Sequence, residues 1–228
     1  ALEAGAKRLH ATCRTLVAQD HHQKGEVAQA LSVYDQVQRE QLEAHDHATR
    51  AGTLQWMGYV HLTVGEYDLA RRRLAEAVAE GEASESLSAV GWANLNLAAM
   101  SVSMGDLAAA LEYEDRATAL FQAQGDRWGL SALRATKAQT ASALGLWDEA
   151  EREYAAALEE SRAAENRAGQ IGNQLNLAHV ALARRDLAGA DAGLREAYRL
   201  ARDLGMPGWR FAALAVEADL ALEAGDPE

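Results

Sequence analysis

The chain is 228 residues long, 49% hydrophobic and 6% aromatic, and its 34 acidic against 22 basic side chains give a formal charge of −12. That charge repels a phosphate backbone and argues against nucleic-acid binding by this segment, and no apolar run approaches the roughly 18 residues that a membrane span needs. A single cysteine, Cys13, leaves no internal disulfide framework and fits a reducing, cytoplasmic setting, while abundant alanine with few prolines and aromatics predicts an all-α chain.

Taken in chain order, residues 1–4 read as the tail of a preceding helix, because Gly5 falls at the position that Gly125 and Gly205 occupy. GEVAQALSVYDQVQ follows at 25–38, GEYDLARRRLAEAV at 65–78, GDLAAALEYEDRAT at 105–118, GLWDEAEREYAAAL at 145–158 and RDLAGADAGLREAY at 185–198, one every forty residues. A fixed period of this length means stacked supersecondary units. Each unit reads as two helices. In the fourth, a first helix runs from Arg127 to Leu144 and Gly145 closes it in the left-handed conformation that glycine adopts freely; a second covers Trp147 to Arg162. Asp148 and Glu149 lie in the first turn of that second helix, at the positive end of its dipole. The breaks place helix pairs near 7–43, 47–80, 87–122, 127–162 and 167–203, then a last helix at 208–224, about eleven in all and forming a single array over 1–228. Gly225 opens a turn with no helix after it, so the chain reads as a window cut from a longer array.

Small residues recur at fixed points. Ala18, Gly58, Ala98, Ala138, Ala178 and Ala218 share one position of the first helix; Ala30, Ala70, Ala110, Ala150 and Ala190 share one position of the second. A third position carries Ala77, Ala117, Ala157 and Ala197, with Val37 breaking the series. Facing small residues let helices approach closely, and a larger side chain there overpacks by about 1–3 kcal/mol.

This pattern of a small residue in the first helix, glycine at the turn and alanine in the second resembles the tetratricopeptide repeat family over essentially the whole chain. The forty-residue unit is similar to the long-helix subclass found in kinesin light chains, in Pins/LGN-type adaptors and in sensor regions of large bacterial regulators such as the maltose-regulon activator. The family's aromatic position is kept as Tyr34 and Tyr154, is apolar as Leu74 and Leu194, and departs from the pattern at Glu114. The resemblance implies a right-handed α-solenoid of antiparallel helix pairs whose first helices line a concave groove.

Helical spacing puts Trp56, Tyr59, Trp92, Asn96, Thr136, Gln139, Asn176 and His179 toward that groove. Asn96 and Asn176 each begin an Asn-Leu-Ala tripeptide. An asparagine offers a donor and an acceptor to an extended peptide main chain, and it also caps local backbone or binds water. The pair resembles the asparagine that precedes leucine in long-repeat adaptors and holds a peptide backbone there. Trp56, Tyr59 and Trp92 suit an aromatic anchor site, as they suit an ordinary core. The family's clamp for a C-terminal carboxylate is missing, since Trp92, Ala132 and Gly172 stand in the corresponding region, and Arg134 is one residue off the groove line. Trp128, Trp147 and Trp209 sit near helix starts, where packing accounts for them.

His21 and His61 share one repeat position on adjacent first helices, without the converging carboxylate or cysteine that a metal site needs. Arg71, Arg72 and Arg73 have Glu76 and Glu80 within helical reach for ion pairs on a solvated face. Cys13 has His10 on its helical face but no orienting third group, the glycines are spaced one per turn rather than clustered around a phosphate, and no cofactor signature is present. The expected function is therefore a non-catalytic scaffold that binds a protein or peptide partner in the groove. One alternative is an effector-sensing segment of a larger bacterial transcriptional regulator or signalling ATPase. The other is an oligomerisation module, with Leu214, Leu220 and Leu222 of the last helix as its surface.

Overall fold

The computed structural model describes residues 2–203, with side chains from Arg8 onward, and residues 213, 214, 216–218, 220 and 221. Most of the expected final helix lies outside the described residues, as do Trp209 and Leu222. Among the described residues ten helices follow one another: α1 (Leu2–Gln23), α2 (Val27–Glu43), α3 (His47–Thr63), α4 (Tyr67–Ala83), α5 (Leu87–Ser103), α6 (Leu107–Gln124), α7 (Arg127–Ala143), α8 (Trp147–Ala163), α9 (Arg167–Ala183) and α10 (Leu187–Asp203). They contain no strand.

The forty-residue sequence period is two equal halves in space. Every turn holds one residue of positive φ, at Gly25, His45, Gly65, Glu85, Gly105, Gly125, Gly145, Glu165 and Arg185, twenty residues apart. The following N–H always reaches the carbonyl five residues back, as in Glu26 to His21 at 2.8 Å and Asp186 to Ala181 at 2.9 Å. This is the closing bond of a Schellman cap. The residue that donates it is also the N-cap of the next helix, and Asp106, Asp126, Asn166 and Asp186 complete that cap by accepting from the backbone N–H three residues on. Glycine marks the turn within most pairs, but His45, Glu85, Glu165 and Arg185 hold the same left-handed backbone with a Cβ, at a cost of about 1–2 kcal/mol each. Arg185→Gly is accordingly expected to raise stability by about 0.5–1 kcal/mol, the relieved strain less the extra freedom glycine gives the unfolded chain. Denaturant unfolding at equilibrium measures it, and a loss of stability would contradict the assignment.

The helices form two compact units, Ala1–Gly129 and Leu130–Glu228. In the first, α1 packs on α2, α3 on α4 and α5 on α6; α2 also meets α3, α4 meets α5, and the first helices α3 and α5 touch. Ala18, Ala30, Ala70, Ala77, Ala98, Ala110 and Ala117 are wholly buried there, so the small positions are the helix contacts themselves. Gly58 shows why they stay small: a Cβ on it would lie 2.6 Å from Cγ and Cδ2 of Leu74. In the second unit Tyr154 packs with Ala138, Ala141, Ala150 and Val180, and Leu194 with Ile171, Leu175, Ala178 and Ala197. Burial pushes the Tyr34 and Tyr154 phenols well above their ordinary range, so both rings remain neutral packing groups. Ala218, expected in the small series, is exposed.

Candidate functional site

Four arginines of the first helices are engaged inside the fold. Arg8 donates to Asp46 at 2.8 Å, and Arg14 bonds Glu40 and Gln36, each at 2.7 Å. The buried Arg50 guanidinium joins Gln38 on α2 to Glu76 and Glu80 on α4, while His47 donates to the other oxygen of Glu80 at 2.6 Å. Glu76 and Glu80 therefore serve Arg50, and of the expected pairs with the Arg71–Arg73 run only Arg73 with Glu76, at 3.1 Å, is formed. In the second unit Arg134 donates to Glu153 at 2.7 Å and lies 3.3 Å from Glu160, so it is an internal staple between α7 and α8.

The histidines at the shared repeat position are each engaged within their own turn. His21 donates through Nδ1 to Glu26 at 2.5 Å, and His61 to Glu66 at 2.6 Å, each to the N-cap residue across its own turn. Glu26 and Glu66 make no side-chain cap bond of their own. Among the described residues no three His, Cys, Asp or Glu converge on a metal position, and Cys13 is exposed.

What remains on α3 and α5 is an uncharged, aromatic face. Trp56 and Tyr59 of α3 are half-buried and set edge to face, with ring centroids 5.8 Å apart. Asn96 of α5 occupies the repeat position of Trp56, and Trp92 lies one helical turn before it. Asn96 is only 4% exposed, and its Nδ2 donor has no acceptor. The neighbouring Asn94 spends its own Nδ2 on the Val90 carbonyl at 2.8 Å. Tyr34 Oη, Gln41 Oε1 and Asn94 Oδ1 are also buried without a partner, but Asn96 alone among them shares the register of the half-buried aromatics. Gly52, where the repeat places Trp92 in the next unit, leaves a notch: nothing lies within 4 Å of the point its Cβ would occupy.

The expected residues of the second unit are set differently: Gln139 and His179 are exposed, Asn176 is half-buried, and Thr136 is buried. Leu214 is exposed and Leu220 packs partly against the core of that unit. Packing does not account for Trp128, which is 61% exposed and stacks obliquely on Trp92 with centroids 5.1 Å apart. Trp147, by contrast, packs against Tyr154 and its neighbours. Sequence reasoning missed His22, whose ring stands edge to face against Tyr59 at 5.5 Å, and Gly52; only register comparison, with a tryptophan at one repeat position and a glycine forty residues earlier, hints at the notch.

Among the described residues no helix is long and apolar enough to cross a membrane. No protein-family model matches the chain, and no curated protein matches it in sequence. Solved structures do. Aspartyl phosphate phosphatase F from Bacillus subtilis superposes with a TM-score of 0.69 at 19% identity over 83% of this chain and 48% of its own. The apo form of RapI gives 0.57 at 13% identity over 86% and 55%, so the chain spans about half the length of each. The nearly identical TPR-like repeats of a kinesin light chain from Podosopora anserina give 0.54 at 18% identity, covering 86% of this chain and 97% of that one. Helix pairs stacked on small residues, joined by regularly spaced left-handed turns and matched to these structures, give the chain the tetratricopeptide-type helical-repeat fold.

Proposed function

We propose that the chain is a non-catalytic module, working in the cytoplasm, that binds an extended peptide segment of a partner protein along the first-helix face of its first unit. The reading is carried by the unpaired Nδ2 donor of Asn96 beside Trp92 and at the register of Trp56. A buried donor without an acceptor costs about 1–3 kcal/mol, and a main-chain carbonyl of an incoming peptide removes that cost. The aromatics supply apolar contact at little entropic expense, and the Gly52 position leaves open space beside Trp56 on the same helix. Because Arg8, Arg14 and Arg50 are engaged by carboxylates of the fold, an internal segment suits the face better than a terminal carboxylate does. Coverage of about half of aspartyl phosphate phosphatase F and RapI is compatible with this module being the recognition part of a larger regulator. Selecting peptides from a random library against the purified chain and measuring their affinity for the Asn96→Ala variant tests the reading.

A further inference from the structure

Three rings from two helices meet at one end of this face. His22, in the last turn of α1, stands at 85° to Tyr59 of α3, and Trp56 stands at 80° to the same Tyr59, so successive rings form perpendicular walls. The hydrogen-bond chain fixes which imidazole nitrogen donates. Thr63 Oγ1 gives its proton to the Val60 carbonyl at 2.8 Å, so toward His22 Nε2, 2.9 Å away, it accepts. Nε2 therefore carries the proton, and in the neutral ring Nδ1 keeps its lone pair. Burial holds this imidazole below its ordinary value, which favours the neutral ring, and burial raises the Tyr59 phenol, which keeps that ring neutral as well. The nearby cations are engaged elsewhere: Lys24 donates to Asp20 at 2.6 Å and His21 to Glu26.

We propose that Trp56, Tyr59 and His22 form a receptor for one cationic side chain, an arginine or lysine of the bound peptide, with the His22 Nδ1 lone pair accepting one of its N–H groups. This rests on the peptide-binding reading above and adds the charge of the ligand to it. Indole and phenol faces present negative quadrupole to a cation, and neither His22 nor any engaged base nearby opposes it. The formal charge of −12 acts in the same direction at longer range.

The test titrates the isotope-labelled full chain with acetyl-Ala-Arg-Ala-amide and with its citrulline counterpart, which keeps the shape of arginine and lacks its charge, while NMR follows the Trp56 indole N–H and the His22 ring. The arginine peptide should shift both signals saturably, and the citrulline peptide should bind about 5-fold or more weakly. Trp56→Leu should weaken the arginine peptide by about 5- to 30-fold. The ligand-side comparison stands even if that variant loses stability. Equal binding of the two peptides with Trp56 shifted by both overturns the cation site and leaves peptide binding standing. Failure of the arginine peptide to shift Trp56 and His22 also overturns it, and library peptides that still depend on Asn96 would then show that the peptide-binding reading survives alone.

Discussion

Replacing Phe121 with alanine is expected to lower the stability of the first unit by about 3–5 kcal/mol, the usual range for emptying a fully buried aromatic site. Phe121, near the end of α6, has no exposed surface, and two glycines were left bare around it: a Cβ on Gly91 of α5 would lie 2.7 Å from its ring, and one on Gly129 of α7 2.5 Å. The half-buried Trp92 meets the same ring edge to face at 5.4 Å. At the equivalent place one repeat earlier the bulk is reversed, because Gly81 of α4 receives the Val90 side chain of α5, whose Cγ2 would be 2.6 Å from an added Cβ. A ridge has been exchanged for a groove, and neither glycine site can grow into the space an alanine would leave. The helix ends are pinned by the Asp126 cap on Gly129 at 2.9 Å, so the cavity should persist rather than collapse. Denaturant unfolding followed by tryptophan emission and by hydrogen exchange in α5 and α6 measures the loss. A change below about 1 kcal/mol would mean that the slot closes and that the two glycines have another reason to be small.

Asn96→Ala is expected to separate binding from folding: affinity for selected peptides falls by about 10-fold or more, while unfolding free energy stays within about 1 kcal/mol of the parent. Asn96 is buried, and truncating a buried side chain ordinarily destabilises. Here the truncation also removes a donor that no group of the protein satisfies, and the two contributions oppose each other. Asn94→Ala provides the contrast, since its amide is bonded to the Val90 carbonyl of its own helix and it lies off the register of the aromatics. Calorimetry with each variant reads the affinities. Equal loss of binding and stability in Asn96→Ala would make the residue structural.

The fold was legible in the sequence because its cause is local and repeated. Small residues at every forty-residue step force close helix contacts, and glycine at Gly25, Gly65, Gly105 and Gly145 announces the turns. The turns between pairs were harder to read, since His45, Glu85 and Glu165 adopt left-handed backbone with no glycine to signal it. Glu114 was recognisable as a departure from the aromatic slot, and it is indeed buried there, but nothing in a sequence tells how such a carboxylate is accommodated. The candidate site was legible only in outline. Helical spacing selected Trp56, Tyr59, Trp92 and Asn96 for one face, whereas the assembly of His22 with Tyr59 is a contact between residues far apart in the chain. The exposure of Trp128 escaped notice for a similar reason: its place beside Trp92 is a contact between residues far apart in the chain, which spacing alone does not weigh.

The most direct measurement of the central claim is the affinity of library-selected peptides for the Gly52→Trp variant. Nothing lies within 4 Å of the Gly52 Cβ position, so the helix should accept the indole with its stability intact, and the larger side chain fills the notch beside Trp56. If the first-helix face is where peptides bind, Gly52→Trp should lower their affinity by about 10-fold or more with thermal unfolding unchanged. Undiminished binding by a folded Gly52→Trp variant would contradict the account and move recognition to another surface of the chain.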